Sequence, residues 1–263
     1  MSKINDLDLE NWKDLTDIWT DSLWIIQNRD NSGAHSGHYH GNFVPQIPHQ
    51  LLSRYTKAGD FVLDPFAGSG TTLIEAQKMK RNSIGIELQD VVANEAIARI
   101  HSEKQEGIIA DTFIDDSRTF GTEIILSTYN IKNVQFIIYH PPYWDIIKFS
   151  DDPNDLSNSP DLKTFLSNFG KVVENTIKIL EKGRYCALVI GDKYYKGEIV
   201  PLGFYCMQLM QQYNLRLKAI LVKNFGETKG KANQEALWRR RALQNGLYIF
   251  KHEYIMVFKK ERD

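Results

Sequence analysis

Residues 61–72 read Phe-Val-Leu-Asp-Pro-Phe-Ala-Gly-Ser-Gly-Thr-Thr, and no other stretch constrains the fold as tightly. Phe61-Val62-Leu63 is a short apolar run of the kind that forms a buried strand. Gly68 and Gly70 lack a Cβ, so the chain can bend sharply there and a ligand can approach the backbone closely. Thr71 to Lys80 has helical character, and Thr71 and Thr72 are residue types that cap a helix start. A strand running through a glycine turn into a helix belongs to a layered α/β architecture.

The same alternation continues downstream. Ser83 to Leu88 reads as a strand and Val91 to His101 as a helix. Gly107 to Asp111 is a third strand, and Val134 to Tyr139 a fourth that ends on two prolines. Leu162 to Leu180 places Phe165, Phe169, Val172, Val173 and Ile177 at helical spacing, and Arg184 to Ile190 is a fifth strand. This predicts a parallel sheet with helices on both faces. Pro201 to Tyr213 is expected to be helical, with strands at 215–222 and 254–258 forming a late antiparallel pair at the sheet edge. Residues 7–30, with Trp12, Trp19 and Trp24, suggest an amphipathic helix and then a short extended piece at 23–26. A helix is expected over about 48–55.

At 263 residues, 42% of them hydrophobic, the chain fits one α/β domain. Its formal net charge is −1, so any face that binds nucleic acid must be local. Cys186 and Cys206 sit in apolar surroundings and form no motif, as buried thiols in a reducing compartment would. The acidic, polar start resembles no targeting peptide, and no apolar run nears the ~20 residues of a spanning helix. A soluble, cytoplasmic protein with no membrane partner is the expectation. Two polar stretches, 145–161 and 224–250, are too long for ordinary connections and are candidate substrate loops.

The glycine turn lacks the lysine of a phosphate-binding loop and the full dinucleotide fingerprint. Asp64 before it would repel a pyrophosphate and suit a cationic ligand. Glu87, at the end of the next strand, stands where a carboxylate accepts hydrogen bonds from ribose hydroxyls. Asp111, at the end of the third, could reach a purine amino group. S-adenosylmethionine, with a sulfonium and an α-amino group, suits this turn better than NAD or ATP.

Val62 to Thr72, continued by Arg81 and Gly85-Ile86-Glu87, resembles the cofactor motif of the amino-group DNA methyltransferases, which make N4-methylcytosine or N6-methyladenine. Gly41 to Pro48 with Leu51-Leu52 resembles the segment that closes over the methionine end of the cofactor in that family. The resemblance implies a class I methyltransferase (Rossmann-like) mixed sheet of about seven strands, the last but one inserted antiparallel, with helices on both faces. It makes residues 1–263 one methyltransferase domain whose 1–56 segment covers the cofactor. It also implies S-adenosylmethionine contacts from Phe43, Pro45, Asp64, Pro65, Phe66, Gly68, Ser69, Gly70, Thr71, Thr72, Glu87, Leu88 and Asp111. The order of the motifs resembles the γ arrangement and the wording of the first the β group, so no group is assigned.

His140-Pro141-Pro142-Tyr143 follows the fourth strand and so stands at the sheet's carboxyl edge beside the turn. In the related enzymes an Asp, Asn or Ser precedes Pro-Pro and an aromatic. The first side chain and a proline carbonyl accept hydrogen bonds from the target amine while the ring stacks on a flipped base. The resemblance thus assigns catalysis to His140, Pro141, Pro142 and Tyr143. His140 departs from the pattern: neutral imidazole still accepts a hydrogen bond and imidazolium does not, so activity is expected to fall with pH near the unperturbed value of ~6.5. The Pro-Pro-Tyr-Trp wording leans toward cytosine N4 over adenine N6, with both left open.

Trp144, Lys229, Lys231, Trp238, Arg239, Arg240 and Arg241 are the candidate nucleic-acid contacts, cations beside indole rings suiting a phosphate track. His35, His38, His40 and His49 crowd one loop, but no cysteine or well-spaced carboxylate completes a metal site, so none is expected. These residues predict a methyltransferase acting on duplex DNA with the target base flipped out, as a homodimer or with a partner subunit. The alternatives are an RNA amino-methyltransferase and a non-catalytic binding subunit of a methyltransferase complex.

Overall fold

The computed structural model describes residues 3–39, 41–225 and 235–261. In chain order the strands are β1 (Leu23–Trp24), β2 (Phe61–Asp64), β3 (Asn82–Glu87), β4 (Ala110–Ile114), β5 (Val134–Tyr139), β6 (Leu180–Ile190), β7 (Lys193–Tyr195), β8 (Glu198–Val200), β9 (Leu215–Asn224) and β10 (His252–Lys260). The α-helices are α1 (Gln46–Tyr55), α2 (Thr71–Lys78), α3 (Asp90–Ser102), α4 (Glu123–Thr128), α5 (Leu162–Ile177), α6 (Leu202–Met210) and α7 (Glu235–Asn245).

Eight strands form one sheet in the order β1-β9-β10-β6-β5-β2-β3-β4, and β7 and β8 form a separate hairpin. Strands β2 to β6 run parallel, and β10 lies antiparallel between β6 and β9. The antiparallel strand is therefore the last in the chain, not the last but one. The sheet exceeds the expected seven strands because Leu23 and Trp24 pair with Val222 and Lys223 as an added parallel edge.

Both faces of the sheet are covered, which is why its strands are apolar at successive positions and not merely at alternate ones. Ile137, Cys186, Leu188, Met256 and Phe258 pack on one side with Phe165, Phe169 and Val172 of α5. Their neighbours Phe136, Ile138, Ala187, Val189, Ile255 and Val257 pack on the other with Ile47, Leu51 and Leu52 of α1. The period-2 alternation of side chains sends each strand's residues into two cores. Helix α5 starts at Asp161, whose carboxylate accepts from the Thr164 N–H at 2.7 Å, a side-chain cap of the usual kind.

Residues 7–30 contain no α-helix. They form one 3-10 turn at Trp12–Asp14, with Trp12 exposed and Trp24 buried against α1. The segment is fastened by hydrogen bonds instead: Arg54 donates to the Trp19 carbonyl and Gln50 to that of Asp17. Among the described residues no helix is long and apolar enough to cross a membrane.

Candidate active site

The parallel strands and β9 all end at one edge, and β10 begins there. Asp64, Glu87, His140 and Lys223 stand at the ends of β2, β3, β5 and β9, and Glu253 at the start of β10. One cleft of about 290 Å³ runs along this edge, close to the size of small-ligand sites. Its walls hold both sequence motifs: Asp64 to Ser69, Thr71, Thr72, Glu87 and Leu88 on one side, His140 to Tyr143 on the other.

The glycine turn needs its glycines. Gly68 has φ +50° and Gly70 φ +81°, left-handed values that ordinary side chains resist. Gly70 caps α2 without a side-chain bond, so the expected threonine capping does not occur. Thr72 instead donates to Asp64 Oδ2 at 2.5 Å, and Thr71 donates to Asn42 Oδ1 at 2.6 Å. The Asp64 carboxylate also accepts from the Phe66 N–H. Burial raises its pKa to about 6 against these bonds.

Glu87 is buried at the floor of the turn, where its carboxylate accepts from the Gly68 and Gln89 N–H groups at 2.8 and 3.0 Å. Burial raises its pKa too, with those bonds opposing. A carboxylate gripped in this way has one fixed orientation toward the cleft.

Phe43 lines the cleft, whereas Pro45 and Gly70 do not. Pro45 is the residue before α1. Asp111 corrects a further expectation. Strand β4 begins at Ala110, so Asp111 sits near its start, where it accepts from the Tyr129 hydroxyl at 2.8 Å away from the cleft. Asp115, Asp116 and Ser117, just past the end of β4, take its place. Asp116 is held by Arg118 through a 2.6 Å ion pair, and Ser117 donates to the Pro65 carbonyl.

At the other end, His140 packs its ring 4.7 Å from that of Phe43 and edge-on to Tyr143 at 5.8 Å. Among the described residues no side chain hydrogen-bonds its nitrogens. Enclosure in protein lowers its pKa to about 4; Glu253 opposes the shift and Lys223 adds to it. His140 is thus neutral at physiological pH, and its titration lies well below the expected ~6.5.

Tyr143 is held on three sides. Its hydroxyl donates to Glu253 Oε2 at 2.6 Å, its ring lies over Gly191, and His140 meets its edge. A Cβ built on Gly191 would lie 2.9 Å from the ring, so only glycine leaves the space.

Trp144, expected at the nucleic-acid face, is buried at 3% exposure. Its indole donates to the Ser159 carbonyl and sits 4.4 Å from Lys193 Nζ, which also pairs with Asp145. Its φ of +53° is a strained value for a bulky residue, sustained by these contacts. Trp144 anchors the loop behind the clamp.

Two loops roof the cleft. Tyr39 and Phe149 stack with centroids 6.0 Å apart, joining the N-terminal segment to the 145–161 loop, which contributes Ile146, Ile147, Phe149, Asn154, Asp155 and Leu156 to the walls. Tyr39, Asn42 and Phe149 were missed from the sequence, although Asn42 lies inside the Gly41–Pro48 segment already singled out. The histidine loop is tied to α2: His35 and His49 contact the Glu75 carboxylate at 2.7 and 3.1 Å. His38 is exposed, and His40 lies outside the described residues. Among the described residues no group of His, Cys, Asp or Glu has metal-site geometry.

On α7, Arg239, Arg240 and Arg241 are exposed, and the Arg241 guanidinium lies 5.4 Å from the half-buried Trp238 ring. Lys229 and Lys231 lie outside the described residues.

A sequence model described as DNA methylase matches residues 2–98, and one described as RMKL-like, methyltransferase domain, matches 51–156. Over its cofactor half, the chain is thus similar to the amino-methyltransferase family. It is 37% identical over 76 residues to Type II methyltransferase M.MjaII of Methanocaldococcus jannaschii, covering 28% of this chain and 14% of that one. It is 33% identical over 102 residues to Type II methyltransferase M2.DpnII of Streptococcus pneumoniae, covering 37% and 35%. The matched stretches thus span about a third or less of these relatives' own length. A SAM-dependent methyltransferase structure from Methanosarcina mazei superposes with a TM-score of 0.51 at 10% identity, covering 81% of this chain and 98% of that one. Precorrin 8W decarboxylase of Methanobacterium thermoautotrophicum gives 0.51 at 9%, covering 88% and 98%. These structures show the class I methyltransferase fold alone, and one fold hosts several chemistries.

Proposed function

We propose that this chain is an S-adenosylmethionine-dependent DNA methyltransferase acting on the exocyclic amine of a flipped-out base, cytosine N4 in preference to adenine N6. One observation carries the reading: the acid-lined glycine turn and the His140-Pro141-Pro142-Tyr143 clamp form the walls of a single cleft. The residues present fit S-adenosylmethionine. The buried, hydrogen-bonded Asp64 suits a cationic ligand, Glu87 suits ribose hydroxyls, and the bare backbone at Gly68 leaves room for close approach. Asn42, Phe43, Asp115 and Asp116 complete that half of the cleft.

Bound there, the cofactor supplies an electrophilic methyl group whose departure leaves a neutral thioether. The protein's part is to aim the amine. A neutral His140 accepts one N–H of the amine, and a proline carbonyl accepts the other. The Pro141 and Pro142 carbonyls have no backbone partner among the described residues. Both bonds draw electron density onto the nitrogen as its lone pair forms the new C–N bond. With a pKa near 4, His140 polarises the amine but does not retain its proton, which passes to water. Tyr143 stacks on the base, worth roughly 1–3 kcal/mol.

In this reading residues 1–263 act as one unit, with 1–56 closing over the cofactor. The 145–161 loop and the 224–250 stretch, with Arg239, Arg240 and Arg241 on α7, meet the nucleic acid, alone or with a second subunit. The test is incubation of the purified protein with labelled cofactor and unmethylated duplex DNA, structured RNA or neither, followed by mass identification of the modified nucleoside. Transfer to RNA alone, or cofactor binding with no transfer, would replace the proposal by an RNA enzyme or a binding subunit. Persistence of near-normal transfer in His140→Ala would remove His140 from the mechanism.

A further inference from the structure

Lys223 and Glu253 are unusual among the residues at this edge. They are in-register partners across β9 and β10, placed there because β10 starts where β9 ends. Both side chains are more than nine-tenths buried, at 7% and 4% exposure, yet both line the cleft beside His140 and Tyr143. Lys223 Nζ donates to Glu253 Oε1 at 2.9 Å, and Tyr143 donates to Oε2 at 2.6 Å.

An ammonium carries three N–H donors. Glu253 is the hydrogen-bond partner that Lys223 has among the described residues, with the Phe225 ring 5.1 Å away as a weaker contact. Burying unused donors is costly unless something accepts from them. Lys223 lines the same cleft as the clamp, so a base held there is the candidate acceptor. In the proposed reading the base has its amine on His140 and its face on Tyr143, which leaves its ring edge free for a further contact in the cleft. Cytosine presents two adjacent acceptors beside its amine, N3 and O2. Adenine presents N1 and then a C–H.

Building on the proposed function, we propose that Lys223, held in place by Glu253, is the specificity-determining residue for the target base, donating to the two ring-edge acceptors of cytosine. Glu253 is a positioning residue with two tasks, orienting the Lys223 ammonium and holding Tyr143 upright. Adenine would leave one Lys223 donor facing a C–H, a mismatch that a buried site penalises strongly.

The test uses the full chain, labelled cofactor and unmethylated genomic DNA, which samples every short recognition sequence, with nucleosides resolved by mass. Lys223→Met removes the donors and keeps the stem. The Lys223→Met/Glu253→Gln pair avoids a lone buried charge. Wild type is expected to yield N4-methyldeoxycytidine. Both variants should lose roughly ten- to hundredfold in transfer rate at limiting DNA while binding cofactor with unchanged affinity. Near wild-type transfer by the double variant, or loss of cofactor binding in both variants, would overturn the base-reading role. A wild-type product that is N6-methyldeoxyadenosine would overturn it too, yet leave the methyltransferase reading intact. Cofactor binding with no methylated base at all would overturn that reading and this inference together.

Discussion

Lowering the pH tests the His140 assignment quantitatively. With a pKa of about 4, roughly nine-tenths of His140 is neutral at pH 5; at the unperturbed value, only about 3% would be. Transfer limited by His140 should therefore be nearly flat from about pH 8 to about pH 5 and fall below that. Stability falls in the same direction as activity, toward low pH, but over a higher window. The unfolded chain takes up this proton near pH 6.5 and the folded one only near 4, so the fold loses stability as pH drops through that window. The loss is about 2 kcal/mol at pH 5. Single-turnover transfer should be measured on the preformed cofactor complex, with circular dichroism at each pH to separate chemistry from unfolding. Saturating cofactor at every pH keeps the weaker binding caused by protonation of Asp64 near pH 6 out of the rate. A rate that falls around pH 6.5 with the fold intact would refute the argument that enclosure keeps His140 neutral. His140→Ala should cost about a hundredfold or more at neutral pH.

Cofactor affinity should weaken as pH falls through about 6, where Asp64 takes up its proton; Asp64→Asn should bind about tenfold more weakly at pH 7.5 and lose that pH dependence in titration calorimetry. Burial works against the Glu75 carboxylate, but His35, His49 and Lys78 outweigh it and hold its pKa at about 2. It therefore stabilises the fold fully above about pH 4.5 and progressively less toward pH 2. Glu75→Gln should cost about 3 kcal/mol in denaturant unfolding at pH 7 and free the histidine loop from α2. Gly191→Ala should push Tyr143 off its seat, cutting transfer at least about tenfold while the affinity for cofactor stays within about twofold.

What could be read from the chain follows from how local each signal is. Phe61-Val62-Leu63, Ser83-Ile84-Gly85-Ile86 and Val134 to Tyr139 are buried on both faces, so their apolar runs mark them without reference to any neighbour. The two motifs attached to those strands inherit the sheet's carboxyl edge, and the cleft was legible for that reason. Strand β4 is half exposed, and its register could not be seen. The apolar Ile108-Ile109-Ala110 drew the expected strand several residues too early, and with it the acidic site from Asp115-Asp116 back to Asp111. Trp144 misled for a different reason. A tryptophan beside an aromatic clamp reads as an open ring, and its burial depends on Ser159 and Lys193, 15 and 49 residues further along.

Lys223 and Glu253 lie at the far limit of that scale. Thirty residues separate them, and a polar stretch runs between. Each alone is an ordinary charged residue, Lys223 near the end of one late strand and Glu253 near the start of another. They meet in the cleft only because β10 enters antiparallel between β6 and β9, which puts the start of one strand opposite the end of the other at the edge where His140 stands. The same insertion lets Glu253 reach Tyr143, 110 residues earlier. In the proposed reading β9 and β10 supply the target-side wall with charge, as β2 and β3 supply the cofactor side with Asp64 and Glu87. Those two carboxylates are gripped by backbone and hydroxyl donors of their own turn, whereas the Lys223–Glu253 pair is gripped across strands. A substitution at Lys223 or Glu253 is therefore expected to alter what the clamp holds, and one at Asp64 or Glu87 what the glycine turn holds, with the sheet beneath common to both.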